Sequence, residues 1–250
     1  MINMGKINAG DEINVVVPTG NFGNILAGFY AKKMGLPIKK LVCASNSNNV
    51  LTDFLKTGTY DKNRDFYTTT SPSMDILISS NLERLLYHMS GEDDKLIAGL
   101  MNELSVNGKY TVSDSLIADI QKVFDAGYTS EESVDETIKS HFDKYNYLCD
   151  THTAVAVKVY DEYVKSTGDD IPAVIDSTAS PYKFSASVLN AVMNGDLKQL
   201  DEFEMVDELN RATGADVPKP LASLKEKQVR FTDVCNKEDM SRMVFKLLNL

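Results

Sequence analysis

Short β-branched runs alternate along this chain with stretches whose apolar residues recur at helical spacing. Ile13 to Val17 reads as a strand that ends at Pro18-Thr19-Gly20, and Asn24 to Met34 as the helix that follows, closed by Gly35-Leu36-Pro37. Lys40 to Ser45 is a second buried-type strand, and Asn48 to Leu55 begins another helix that stops near Gly58. Together they predict a β-α-β unit with parallel strands and a right-handed crossover. Met74 to Met89 has helical periodicity, with Pro72 and Ser73 placed as a start signal. From Asp93 to Asp143 the chain becomes charged and helix-forming, with Ser113-Asp114 and Ser130-Glu131-Glu132 opening helices, which predicts a helical excursion over one sheet edge. The α/β rhythm resumes with a helix over Thr153–Val164, a strand over Ile171–Ile175 and a helix over Ser185–Met193. Asp201 to Gly214, a joint at Val217-Pro218-Lys219-Pro220 and an amphipathic helix over Lys237–Leu248 complete the pattern. The expected division is residues 1–92 as the β-α-β part, 93–148 as the helical excursion and 149–250 as the return to the sheet with the closing helices. No internal repeat or low-complexity stretch interrupts it.

Composition narrows the picture mainly through charge. With 250 residues, 43% hydrophobic and 25% charged, the chain is in the ordinary globular range. A net charge of -10 provides no general field for nucleic acid or anionic lipid, so any phosphate site must be local and built from backbone N–H groups. The apolar runs are too short to span a bilayer and no signal-type segment opens the chain, so a cytoplasmic protein without membrane or nucleic-acid partners is expected. Cys43, Cys149 and Cys235 are dispersed, and so are His88, His141 and His152, so buried free thiols and no metal are expected. The strand at Ile13 follows the N-terminus without a covering helix, which predicts that an N-terminal portion of the fold is missing and that the surface left open favours self-association.

The segment Pro18-Thr19-Gly20-Asn21-Phe22-Gly23-Asn24 sits where a parallel strand ends and a helix begins, the place where open α/β sheets bind ligands. Gly20 and Gly23 free the backbone to turn sharply, and the helix starting near Asn24 adds unpaired amides and the positive end of its dipole. An anion is the matching ligand, and a plain glycine turn is the simpler reading of the same residues. The loop fits neither the dinucleotide fingerprint G-x-G-x-x-G nor the P-loop pattern.

The blocks VVVPTGNFGNILAGFYAKKMGLP, ASNSNNVLTDFLKTG and SPSMDILISSNLERLL, with DTHTAV from Asp150 and STASPYKF from Ser177, closely resemble the C-terminal part of the threonine synthase family. The resemblance implies an open parallel-sheet domain of the fold-type II class of pyridoxal-phosphate (PLP) enzymes, the tryptophan synthase β-like class. It also implies that Gly20, Asn21, Phe22, Gly23 and Asn24 cradle the PLP phosphate, and that Thr178 meets the pyridine nitrogen. For Thr178 the alternative is a residue that ends a strand and caps the next helix. Ser180 stands where the family often has His, which leaves the role of that position open.

The implied reaction is carbon–oxygen lysis with replacement on a small phosphorylated amino acid, O-phospho-L-homoserine and water giving L-threonine and phosphate. The family's Schiff-base lysine lies in a Phe-Lys-Asp type motif upstream of the glycine loop. Here the Phe-Lys dipeptide is Phe245-Lys246, followed by Leu247 on the terminal amphipathic helix, and Lys32, Lys33 and Lys183 lack the motif. No catalytic residue is therefore assigned, and the isolated chain is expected to be inactive. The alternatives are a non-catalytic α/β module for phosphate esters and one half of a split enzyme whose other chain supplies the lysine. Lys183 is placed either toward an anionic substrate or at the surface. His152 reads as a helix-start histidine bonded to backbone or as a cleft residue, and Glu131-Glu132 with Asp135-Glu136 as a solvated face. Asn46, Asn48 and Asn49 are open between ligand contact and helix capping.

Overall fold

The first β-branched run forms β1 (Ile13–Pro18), and the glycine loop after it leads directly into α1 (Gly23–Lys33). The second run forms β2 (Ile38–Ser45), followed by α2 (Val50–Thr57), which stops at Gly58 in the left-handed conformation. A computed structural model of the chain describes residues 1–193 and 199–250. After α2 come β3 (Thr59–Asp61), α3 (Leu82–Met89), α4 (Asp94–Asn107), β4 (Lys109–Thr111), α5 (Asp114–Val123), β5 (Phe124–Tyr128) and α6 (Glu131–Tyr145). The chain continues through α7 (Thr151–Thr167), β6 (Ala173–Ile175), α8 (Ser185–Met193) and α9 (Glu202–Thr213). These elements belong to one unit, Met1–Asp216. A second unit, Val217–Leu250, contains α10 (Lys219–Ala222) and α11 (Met240–Leu247).

The main sheet has the order β5-β2-β1-β6, and every pairing in it is parallel. Its inner strands are buried, as their almost unbroken apolar sequences require. One face carries the larger core, where Val17, Leu41 and Phe124 meet Phe22 and Ile25 of the loop and α1, Phe54 of α2 and Leu85 of α3. Full burial of a ring such as Phe54 contributes about 2 kcal/mol. α7 lies along β1, β2 and β5, with Ala154, Val155 and Ala156 fully buried. Tyr60 and Tyr110 stack at 5.4 Å and tie the small β3–β4 hairpin to the same core.

Two expectations change. The periodic stretch Met74–Met89 is not one helix: a single 3-10 turn covers Pro72–Met74, and the α-helix starts only at Leu82. Ser79, Ser80 and Asn81 interrupt it by bonding the glycine loop, in competition with a continuous backbone ladder. Residues 93–148 are also more than a helical excursion, because β5 pairs with β2 along the open edge of the main sheet. β5 contains Asp125 and Gly127 and has weak strand propensity, so its conformation comes from the pairing and from burial of Phe124 and Ala126. At Gly127 a Cβ would lie 2.8 Å from Val159 Cγ1 of α7, and the missing side chain is what allows the helix to lie this close.

Candidate functional site

β1 and β6 are neighbours, and a cleft of about 380 Å³ opens beyond their carboxyl ends. Gly20, Asn21, Phe22, Gly23 and Asn24 line one side of it and Thr178 and Ala179 line another, so the structure brings together all six residues singled out in the sequence. Among the described residues, none of the backbone N–H groups from Gly20 to Ile25 has a hydrogen-bond acceptor. The flanking amides of Thr19 and Leu26 donate to Ala44 O and Phe22 O. α1 starts at Gly23 with no side-chain cap at its N-terminus, which leaves its first amides and dipole to a ligand.

The side chains of this loop have other work. Phe22 has φ 63°, an unfavourable left-handed conformation for a bulky residue, and its ring is buried against Phe124 at a centroid distance of 5.8 Å. Burial of that ring compensates for the strained backbone, and what Phe22 offers the cleft is its amide. Asn21 Oδ1 accepts from Ser80 N at 2.7 Å and from Ser80 Oγ at 2.8 Å, while Asn24 Nδ2 donates to Asp176 Oδ2 at 3.1 Å. Asn24 thereby ties the start of α1 to the segment that carries Thr178. Gly20 is required sterically, since a Cβ there would lie 2.6 Å from Ser73 O.

A second layer of residues closes the cleft. Ser73, Met74, Asn81, His152 and Lys183 also line it. Ser79 Oγ donates to Gly20 O at 3.0 Å and Asn81 Nδ2 to Asn21 O at 2.7 Å, so residues 73–81 are folded onto the glycine loop. Periodicity concealed this, although the Ser-Ser-Asn cluster before Leu82 is a turn and cap signal. Asn46 and Asn48 are buried and donate to Asp75 Oδ1 at 2.8 and 3.0 Å, fixing the same segment from below, while Asn49 Oδ1 accepts from Arg64 at 3.0 Å. These three do not line the cleft. Asp150 caps α7 and accepts from the amides of His152 and Thr153. Burial alone would raise its pKa, but the bonds from His152 and Thr153 outweigh it and hold the carboxyl below its ordinary value. His152 is therefore both a helix-start histidine and a cleft residue. Lys183 is exposed, with Nζ 5.2 Å from the centre of the Phe184 ring.

Residues 153–244 match the family model described as "Threonine synthase, C-terminal". The chain is 37% identical over 246 residues to the threonine synthase of Saccharomyces cerevisiae, covering 93% of this chain and 48% of that protein. A crystal structure of PLP-bound threonine synthase from Brucella melitensis superimposes with a TM-score of 0.81 at 34% identity, covering 96% of this chain and 47% of that one. Over nearly its whole length the chain is similar to threonine synthases. Its fold is the parallel-sheet PLP domain of fold-type II seen in threonine synthases. It is also 42% identical over 203 residues to human threonine synthase-like 1, covering 81% of this chain and 26% of that protein. The chain thus spans no more than about half the length of the relatives it matches.

Cys43, Cys149 and Cys235 are all free, the first two buried and the last exposed, and burial pushes the Cys43 and Cys149 thiols up to about 12. Among the described residues no three His, Cys, Asp or Glu side chains are grouped as a metal would need, and no helix is long and apolar enough to cross a membrane.

Proposed function

We propose that this chain is the phosphate-gripping part of a threonine synthase that uses PLP to convert O-phospho-L-homoserine and water to L-threonine and phosphate. The observation that carries the reading is the run of unpartnered amides from Gly20 to Ile25, which meets the 380 Å³ cleft with Thr178 among its walls. Those amides suit a dianionic phosphate in a chain whose net charge is -10 and which needs a local site to hold one. PLP, when bound, supplies the electron sink for loss of phosphate from Cγ and addition of water at Cβ. The Thr178 hydroxyl is the partner for the pyridine nitrogen, and a hydroxyl leaves that nitrogen less protonated than a carboxylate would. Lys183 is the cationic side chain on the cleft wall and faces the anionic part of the substrate.

The reactive amine comes from residues outside this chain, since no lysine here stands in a Phe-Lys-Asp motif. The 250-residue chain by itself is then inactive and binds PLP without a covalent link. Mixed with PLP, it should shift the cofactor's phosphorus resonance and show no absorbance band of a lysine-linked cofactor. A band that vanishes in Lys183→Ala would overturn the assignment of the amine. Inorganic phosphate and PLP binding with equal affinity would favour a general phosphate-ester module over a PLP site.

A further inference from the structure

His152 stands at a junction that the proposed chemistry leaves unused. It is 2% exposed, yet it forms part of the cleft wall, and each ring nitrogen has a defined partner. Nε2 accepts from the backbone N–H of Ser73 at 3.2 Å. Nδ1 lies 3.2 Å from Asp150 Oδ1, and the carboxylate can only accept, so Nδ1 carries the proton and the ring is neutral. The remaining bonds to Asp150 come from the amides of His152 at 2.9 Å and Thr153 at 3.4 Å and from the hydroxyl of Thr153. Phe184 packs on the ring at 4.8 Å and restrains its tilt.

The bond to Ser73 bears on the anion loop through contact. The Pro72–Met74 turn lies directly on Gly20, whose absent Cβ would be 2.6 Å from Ser73 O. The other end of the same segment is pinned by Ser79 Oγ on Gly20 O, and Ser79 N donates in turn to Tyr60 OH at 2.8 Å. His152 therefore anchors one end of a strap whose far end is held by Ser79 and Tyr60. We propose that His152, oriented by Asp150, is a positioning residue that clamps the Pro72–Met74 turn over Gly20 and so keeps the amides of residues 20–25 arranged for an anion. This inference rests on the anion-loop reading above. The clamp works only with a neutral ring, because an imidazolium would turn an N–H toward the N–H of Ser73. The charged groups around the ring are Asp150 at the start of α7 and Lys183 on the Pro181–Phe184 turn. The 72–74 turn contributes none, and Asp75 beyond it is occupied by Thr69, Asn46 and Asn48.

The test uses the full chain and sulfate, which stays dianionic throughout the range in which imidazole titrates. At pH 8 wild type should bind sulfate, and protonation of the ring in acid should weaken binding about tenfold, the equivalent of one hydrogen bond to backbone. His152→Gln keeps an acceptor near the Nε2 position and cannot be protonated, so it should bind at pH 8 and hold its affinity in acid. His152→Phe keeps the ring packing and loses the acceptor, so it should bind about tenfold more weakly at every pH, with its fold checked by circular dichroism. Affinity that rises in acid in wild type alone would make His152 a direct cationic ligand and overturn the clamp, as would a Gln variant with the wild-type acid loss. Wild type that binds sulfate with a Phe variant that binds equally sinks this inference only. Failure of wild type to bind sulfate or phosphate at pH 8 sinks the anion loop and the clamp with it.

Discussion

Gly20 and Gly23 look alike in the sequence, yet their surroundings differ. A methyl group on Gly20 meets backbone at 2.6 Å, whereas one on Gly23 meets only the end of the Asn81 side chain at 3.3 Å. Gly20→Ala should therefore cost about 1–3 kcal/mol in urea unfolding and weaken phosphate binding, while Gly23→Ala should cost well under half of that because Asn81 can swing aside. Equal costs would mean that the 72–74 turn does not press on the loop. Thr178→Val, which keeps the shape and removes the hydroxyl, should leave inorganic phosphate binding unchanged and weaken PLP binding, both read by titration. Motif recognition reached these residues, but it could not tell that Phe22 serves through its amide and Asn21 through Ser80, since the partners Phe124 and Ser80 lie far along the chain from them.

At the scale of the element, start and stop signals were the most legible feature. Ser113 and Ser130 cap α5 and α6 where the sequence places them, and α7 opens on Asp150. The caps differ in depth. Ser130→Ala, in an exposed setting, should cost about 0.5–1 kcal/mol, whereas Asp150→Ala leaves buried donors unpaired and should cost about 2–4 kcal/mol by chemical denaturation. β5 was not legible, because five residues with a glycine and an aspartate become a strand only when β2 presents an open edge. A bulky residue at Gly127 tests this: Gly127→Val improves strand propensity yet should destabilise the chain, because Val159 already occupies the space.

At the scale of the molecule, the amino-terminal side of the sheet is held by a polar cluster remote from the cleft. Burial opposes ionisation of Asp169, but Tyr163 at 2.7 Å, Lys39 at 3.0 Å and Asn14 at 3.2 Å bond its carboxylate and bring its pKa down to about 2. A depressed carboxyl stabilises the fold above its unfolded-state pKa, and that contribution fades as pH falls from about 4 toward about 2. In acid titrations followed by circular dichroism, Asp169→Asn should be less stable than wild type at neutral pH and should lack this part of the acid loss. Coincident curves would remove Asp169 from the account.

Local chemistry along the chain was enough to predict an α/β unit with parallel strands, a glycine loop at a strand end suited to an anion, and most helix starts. Those features depend on backbone conformation and on spacing within a few residues, which neighbours in sequence determine. Tertiary structure alone decided that residues 73–81 fold back on the loop, that β5 extends the sheet, and that His152 reaches Ser73. Each of these joins groups far apart in sequence, and such pairings form only when the collapsed core brings their elements within bonding distance.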